Sequence, residues 1–292
     1  MTSTTTAADG PAEPPAGRTD LPPLDLLLPA PEHVPADARE ERLAALYAYG
    51  PPTRAAGCVV RANMVTCIDG AAWGPDHRSG SINDDADWRV FRVLRALADV
   101  VLVGAGTARA EGYTALSRPR GLAHLVDAPL ELAIVTRTGR VPTALAGVER
   151  PPYVLTGPSG AAMARGDVPA DRVLVVGRDA PAGPAPGGPE DTVDLAAGLA
   201  ALAGRGLTRV LAEGGPALLG DLVAADLVDE LCVTTTPGVV GPGPGRIVAG
   251  PAPSGVAPAP RVARLAHLLH SPTDRPGSPA GTTAARWVLP IG

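Results

Sequence analysis

Two stretches of the sequence bring glycine, a carboxylate and a helix start together at the end of an apolar run. In Thr208-Arg-Val-Leu-Ala-Glu-Gly-Gly-Pro-Ala-Leu-Leu-Gly-Asp-Leu222, Val210 and Leu211 read as a short buried strand that Glu213 closes. Gly214 and Gly215 form a turn that a ligand can approach closely, with no Cβ in the way. Pro216 suits the first helical turn, where its missing N–H costs nothing. The free amides and partial positive charge of that helix start suit a diphosphate. Val100-Val-Leu-Val-Gly-Ala-Gly-Thr-Ala-Arg-Ala-Glu-Gly-Tyr113 repeats the design, with Gly104, Gly106 and Thr107 opening a short helix. Each stretch alone is equally a plain strand-to-helix turn. Together, at neighbouring strand ends, they could hold one dinucleotide between them.

Neither stretch is a standard fingerprint. Arg109 stands where G-x-G-x-x-G needs its last glycine, and no G-x-x-x-x-G-K-[ST] occurs. All 25 Lys-plus-Arg positions are arginine, which excludes phosphate-loop lysine chemistry and Schiff-base catalysis. Cys58, Cys67 and Cys232 are odd in number and lack a C-x-x-C, a pattern of reduced thiols without a disulfide framework or zinc site. His33, His77, His124, His267 and His270 show no ligand spacing, so no metal is expected. A net charge of −5 without a basic block argues against nucleic acid as a partner. Neither a signal-peptide pattern nor a membrane-length apolar run is present, so a cytoplasmic protein is expected.

The elements that must position these residues can be read in order. Residues 1–23 hold almost nothing to bury and read as a disordered arm. Residues 24–56 read as an extension: Leu24–Pro29 docks as an extended piece, and a helix capped by Asp37 runs to Tyr49. The main domain spans 57–292. Gly57–Val65 reads as a strand, followed by a polar loop to Ser81. Asn83 is expected to cap the next helix, with Asp84, Asp85 and Asp87 complementing its dipole. Val90, Phe91, Leu94, Leu97 and Ala98 form its buried stripe, and Arg89, Arg92 and Arg95 lie off it, the pattern of a solvated face. Further strands are expected at Leu130–Val135, Tyr153–Thr156, Arg172–Val176 and Glu230–Thr236, with a helix at Leu195–Ala203 and a Pro/Gly loop at 179–190. Val262–Leu269 and Ala285–Leu289 close the chain as an antiparallel pair. Strands alternating with helices predict an α/β fold, a largely parallel sheet covered on both faces with a mixed edge.

Met64-Val-Thr-Cys-Ile-Asp-Gly70, Val103-Gly-Ala-Gly-Thr-Ala108, Glu213-Gly-Gly-Pro-Ala217 and Leu227-Val-Asp-Glu-Leu231, in this order, resemble the riboflavin-biosynthesis pyrimidine reductases. That family belongs to the dihydrofolate-reductase-like superfamily, so the resemblance implies a three-layer α/β/α fold with a central mixed, mostly parallel sheet. It implies NADPH as cofactor, a phosphoribosylamino-pyrimidine as substrate and a homodimer. The H-x-E and P-C-x-x-C motifs of the family's partner deaminase do not occur here. By this resemblance Val65, Thr66 and Ser81 line the nicotinamide side, and Asp69 and Glu111 are the candidate catalytic acids. Gly104, Gly106 and Thr107 contact the dinucleotide, with Glu111 beside them. Gly214, Gly215, Pro216, Ala217, Leu218 and Leu219 hold its diphosphate, and Arg137 stands near the adenosine 2′-phosphate. Ser79, Arg95, Leu116, Arg118 and Glu213 fall where the family grips its substrate.

Several positions depart from the family pattern. Glu111-Gly112-Tyr113 replaces a common Asp-Asp-Pro, serine replaces an aromatic at position 81, and the segment 113–118 aligns so that Arg120 could take the role of Arg118. Asp69 also reads as an ordinary Asp-Gly turn residue, Glu213 as a helix-dipole partner, and Trp73 and Trp88 as packing residues. Two further functions therefore stand beside the reductase: the same fold and cofactor acting on a pterin-like or other heterocycle, and a dinucleotide-binding protein without turnover.

Overall fold

The computed structural model describes residues 21–52, 54, 56–177, 193–250, 260–276 and 278–290. The arm expected at 1–23 and the loop expected at 179–190 lie wholly or almost wholly outside the described residues. The strands are β1 (Leu24–Leu28), β2 (Glu32–Val34), β3 (Val59–Cys67), β4 (Val100–Gly104), β5 (Glu131–Val135), β6 (Tyr153–Thr156), β7 (Val173–Val175), β8 (Arg209–Ala212), β9 (Glu230–Thr236), β10 (Arg264–His270) and β11 (Thr283–Val288). They form one 11-stranded sheet among the described residues, in the order β2-β1-β10-β11-β9-β3-β8-β4-β5-β6-β7. From β9 through β7 every pair is parallel. From β9 outward through β11, β10, β1 and β2 every pair is antiparallel. The mixed, mostly parallel sheet of the sequence reading is thus the observed one.

Side-chain alternation along the strands divides the interior in two. Val101 and Val103 of β4 face a core shared with α1 (Glu41–Leu46), α2 (Asp85–Leu97), α3 (Ala105–Ala110) and α4 (Ala161–Asp167). Val100 and Leu102 face the other core, shared with α5 (Leu195–Ala203) and α6 (Pro216–Ala224). Helices therefore cover both faces of the parallel part. Cys58, Cys67 and Cys232 are buried free thiols. No helix among the described residues is long and apolar enough to cross a membrane.

The chain order explains where a ligand fits. β3 leads through α2 to β4, the chain then steps outward through β5, β6 and β7, and β8 returns to lie between β3 and β4. This reversal opens a crevice beyond the carboxyl ends of β3, β8 and β4, the usual place for ligands in such sheets.

Four local expectations need correction. α1 starts at Glu41 and not after Asp37, because Glu40 takes a left-handed conformation (φ 49°) that ends helical continuity. Asp84, not Asn83, caps α2: its Oδ1 accepts the amides of Ala86 and Asp87 at 2.9 Å each. Arg172 belongs to the 3-10 turn Ala170–Arg172 that precedes β7. Arg89 is not on a solvated face. It is 1% exposed, pairs with Glu40 at 2.7 Å, and donates to the carbonyls of Pro22, Val34 and Pro35. The extension covers this side of α2, so residues 24–56 complete the fold.

Asp84 also accepts the buried Thr282 hydroxyl, which ties α2 to the segment between β10 and β11. Asp84→Ala should lower stability by about 1–2 kcal/mol through loss of the cap, readable as a lower urea midpoint at unchanged slope.

Candidate active site

The two glycine bends meet. The amide of Gly104, at the end of β4, donates to the carbonyl of Gly214 at 2.8 Å, just past β8. Thr107 Oγ1, in α3, accepts the amide of Gly215 at 2.8 Å. β4 and β8 are adjacent and parallel, so both bends lie at the same, carboxyl-terminal, end of the strands. The room is measurable: a Cβ on Gly215 would stand 2.5 Å from Thr107 Oγ1, and one on Gly214 would stand 3.1 Å from Met64 Sδ. The Gly214–Gly215 peptide is cis. Pro216 opens α6 with no side-chain cap from Gly215, and the amides of the first turn have no carbonyl within the helix to meet them.

A cavity of about 340 Å³ opens beside the bends. Gly106, Thr107, Gly215 and Pro216 form one rim, and Asn63, Met64 and Val65 of β3 form the floor. Trp73, Trp88 and Phe91 supply aromatic walls, so the two tryptophans do more than pack. Ser79, His77 and Glu111 stand at the loop side, and Asp87, Tyr113 and Glu213 add polar groups. Glu111 Oε1 accepts the Ser79 amide at 2.9 Å and so fixes the loop between β3 and α2.

Behind this wall lies a buried charged cluster. Arg95 Nε and Nη2 each donate to the Glu213 carboxylate at 2.7 Å, a bidentate pair. The Tyr113 hydroxyl donates to the same carboxylate. Arg95 also lies 4.3 Å over the Phe91 ring. Burial raises the Tyr113 phenol well above its usual range, and the Glu213 charge adds to it. Burial works against the charge of Arg95, but the Glu213 carboxylate holds it protonated.

The remaining sequence-expected residues separate. Thr66 turns its hydroxyl to the carbonyls of Cys67 and Ala71. Ser81 bonds Asp76 at 2.6 Å within its own turn. Asp69 is exposed; its Oδ2 accepts the amides of Val240 and Gly241 at 2.8 Å each, bracing two loops. Those backbone bonds, led by that of Gly241, hold its carboxyl below the usual range. None of these three residues lines the cavity.

Arg118 caps the end of α2 through the carbonyls of Ala96 and Ala98 and also donates to Ala128, away from the cavity. Leu116 packs against the core. Leu218 and Leu219 bury their side chains, leaving only backbone to a ligand. Ala217 is in α6, and Arg137 is exposed just past β5. Sequence reasoning had no site role for Asn63, Asp87, Trp88, Phe91 or Tyr113. The helical spacing of Asp87 and Phe91 was the one signal that could have joined those two.

The sequence matches the family model described as the RibD C-terminal domain over residues 59–271. No curated protein matches. Among solved structures, the chain is similar to a pyrimidine reductase-like protein from Corynebacterium diphtheriae, at 21% identity and TM-score 0.64, over 85% of this chain and 99% of that one. It is similar to Acinetobacter baumannii RibD at 18% identity and TM-score 0.58, over 81% of this chain and 59% of that longer one. The Saccharomyces cerevisiae riboflavin biosynthesis reductase Rib7 superposes with TM-score 0.55 at 16% identity, over 85% and 98% of the two chains. At these identities the superpositions carry the fold, whereas the family match spans most of the sequence and carries membership. The chain belongs to the RibD C-terminal domain family.

Proposed function

We propose that this chain is an NADPH-dependent reductase that converts the ribosylamino group of a pyrimidine 5′-phosphate to ribitylamino in riboflavin biosynthesis. The observation that carries the reading is the hydrogen-bonded pair of glycine bends, Gly104 to Gly214 and Thr107 to Gly215, beside a cavity of about 340 Å³. The unmet amides at the start of α6 and its dipole suit the diphosphate of NADPH. Gly104, Gly106, Gly214 and Gly215 keep side chains out of its way, and Arg137 supplies a cation for a 2′-phosphate. Bound there, NADPH supplies a hydride.

The chain's own residues do the rest. Met64, Trp73, Trp88 and Phe91 exclude water from the reacting centre. Glu111, held by the Ser79 amide, orients the sugar hydroxyls and exchanges the proton that the opened ribose requires. Asp69 contributes by bracing the loop over the cavity. Glu213, clamped by Arg95 and Tyr113, holds the far wall in one shape. A cytoplasmic homodimer completes the reading, by family resemblance.

A second reading keeps the cofactor and changes the substrate. Its support is that Arg95 and Arg118, the two arginines expected to grip the substrate, both hydrogen-bond to other protein groups and neither lines the cavity. The cavity mouth offers His77 and the Ser79 turn in their stead.

The test is loss of NADPH absorbance with the deaminated phosphoribosylamino-pyrimidine and with its dephosphorylated form. The first reading expects turnover with the ester and a KM at least tenfold higher without the phosphate. Equal use of both forms, or turnover only with another heterocycle, favours the second reading. Tight NADPH binding without oxidation by any of them would leave a binding protein.

A further inference from the structure

The proposed substrate carries a phosphate, and the cavity interior repels one. Asp87, Glu111 and Glu213 line it, and no arginine does. Arg95 balances Glu213 from behind the wall. A phosphate set deep among these carboxylates would lose its water and gain no cation, so the ester has to stay at the mouth. His77 stands there. It is exposed, it lines the cavity, and it is the one lining side chain among the described residues that can carry a positive charge.

The turn around His77 fixes its position. The His77 backbone is left-handed, with φ 59°, a conformation uncommon outside glycine. Its amide donates to the Gly74 carbonyl at 3.0 Å, and the Gly74 amide donates to the Arg78 carbonyl at 3.2 Å. A Cβ on Gly74 would stand 2.2 Å from Ser81 Oγ, so the turn closes only over glycine. Asp76 accepts the Arg78 amide at 3.0 Å and the Ser81 hydroxyl at 2.6 Å, which turns that carboxylate back onto its own loop. Glu111, at the end of α3, ties down the next residues through the Ser79 amide. A histidine that met only solvent could sit in an unstrained loop. Local strain held in place by this many bonds is the pattern of a side chain kept in position for a ligand.

We propose that His77 is the residue that grips the substrate's phosphate, its imidazolium donating to the ester at the cavity mouth. This deepens the pyrimidine-reductase reading and rests on it for the presence of the phosphate. Histidine changes charge between about pH 5 and 8, so the preference for a phosphorylated substrate is present with the imidazolium and lost as pH rises. The other titratable groups around the cavity are Asp87 of α2, Glu111 at the end of α3, Tyr113 beyond it and Glu213 beyond β8. Asp76 and Arg78 flank His77 in the turn itself. Burial pushes the Asp87 carboxyl up to about 6, so it too changes charge near neutral pH. Substitution at position 77 separates the two.

The experiment uses the full chain with NADP⁺ bound, titrated in a calorimeter with a ribitylamino-pyrimidine 5′-phosphate and with its dephosphorylated form. The native protein is expected to bind the phosphorylated form about tenfold more tightly at pH 6.5, the size of one charge-assisted hydrogen bond. By pH 8.5 the two forms should bind within about twofold of each other. His77→Asn, which tolerates a left-handed backbone, should bind both forms within about twofold at either pH. His77→Arg restores a cation that does not titrate, so it should keep the preference and lose its pH dependence. A histidine with a merely structural role would move neither readout.

A preference that persists in His77→Asn, or is absent in the native protein, overturns the assignment. A preference in His77→Arg that still falls with pH as in the native protein gives the titration to Asp87 and overturns it as well, and this arm decides alone should His77→Asn not fold. The two readings fail separately. NADPH oxidation by the phosphoribosylamino-pyrimidine with the preference intact in His77→Asn sinks the His77 role alone. A preference that depends on His77, with no NADPH oxidation by that pyrimidine, sinks the proposed reaction and leaves His77 as a phosphate-binding residue.

Discussion

Gly215→Val is expected to abolish dinucleotide binding while the sheet stays folded. A Cβ at this position would stand 2.5 Å from Thr107 Oγ1, the atom that accepts the Gly215 amide. The two branches of valine would then fill the gap between the bends, where the proposed diphosphate lies. Gly215 has φ −70°, a value any residue adopts, so the variant adds no backbone strain of the left-handed kind. Affinity for NADPH should fall at least 100-fold, on the order of 3 kcal/mol, by calorimetric titration. The melting temperature should move by only a few degrees. Equal affinity in the variant would remove this turn from the site, and with it the observation on which the proposed reaction stands.

Arg95→Ala should act mainly on stability, where a phosphate-gripping arginine would have acted on KM. Its guanidinium is spent on Glu213 through two bonds of 2.7 Å, with the two side chains 11% and 3% exposed. Removing one partner of a buried pair leaves an uncompensated charge and costs about 3–5 kcal/mol, here a fall in melting temperature on the order of 10 °C. The Arg95→Ala/Glu213→Ala double variant should be more stable than the sum of the single changes implies, because the stranded carboxylate is gone. A melting temperature unchanged in Arg95→Ala, with KM raised for the phosphorylated substrate alone, would return Arg95 to the substrate.

The contrast between Gly215 and Arg95 shows what was legible in the sequence. The glycine bends could be read because their chemistry is local: an apolar run, a small-residue turn and a helix start within fifteen residues of chain. The layered sheet followed from the same short-range alternation. Arginine partners are set by distant chain. Arg89 meets Glu40, 49 residues away, and Arg95 meets Glu213, 118 residues away. Helix periodicity assigns both to a solvated face because it cannot see what covers that face. Asp87 was hidden by its neighbours. In Asp84-Asp85-Ala86-Asp87 one acid caps α2 and another faces the cavity, and composition alone makes them all dipole partners. Asp69 looked chemical because it follows a strand, yet the strand end points it at the loop amides of Val240 and Gly241.

The hairpin of β1 and β2 carries a practical consequence for anyone trimming this protein. β1 lies along β10 through Asp25, Leu26 and Leu28, and Pro22, Val34 and Pro35 receive the Arg89 guanidinium. A version started at residue 57 to isolate the catalytic part would bare the flank of β10 as an unpaired ribbon and strand a buried cation. Such a flank is a template for self-association, so the shortened protein should come out of cells as aggregate, whatever the condition of its glycine bends.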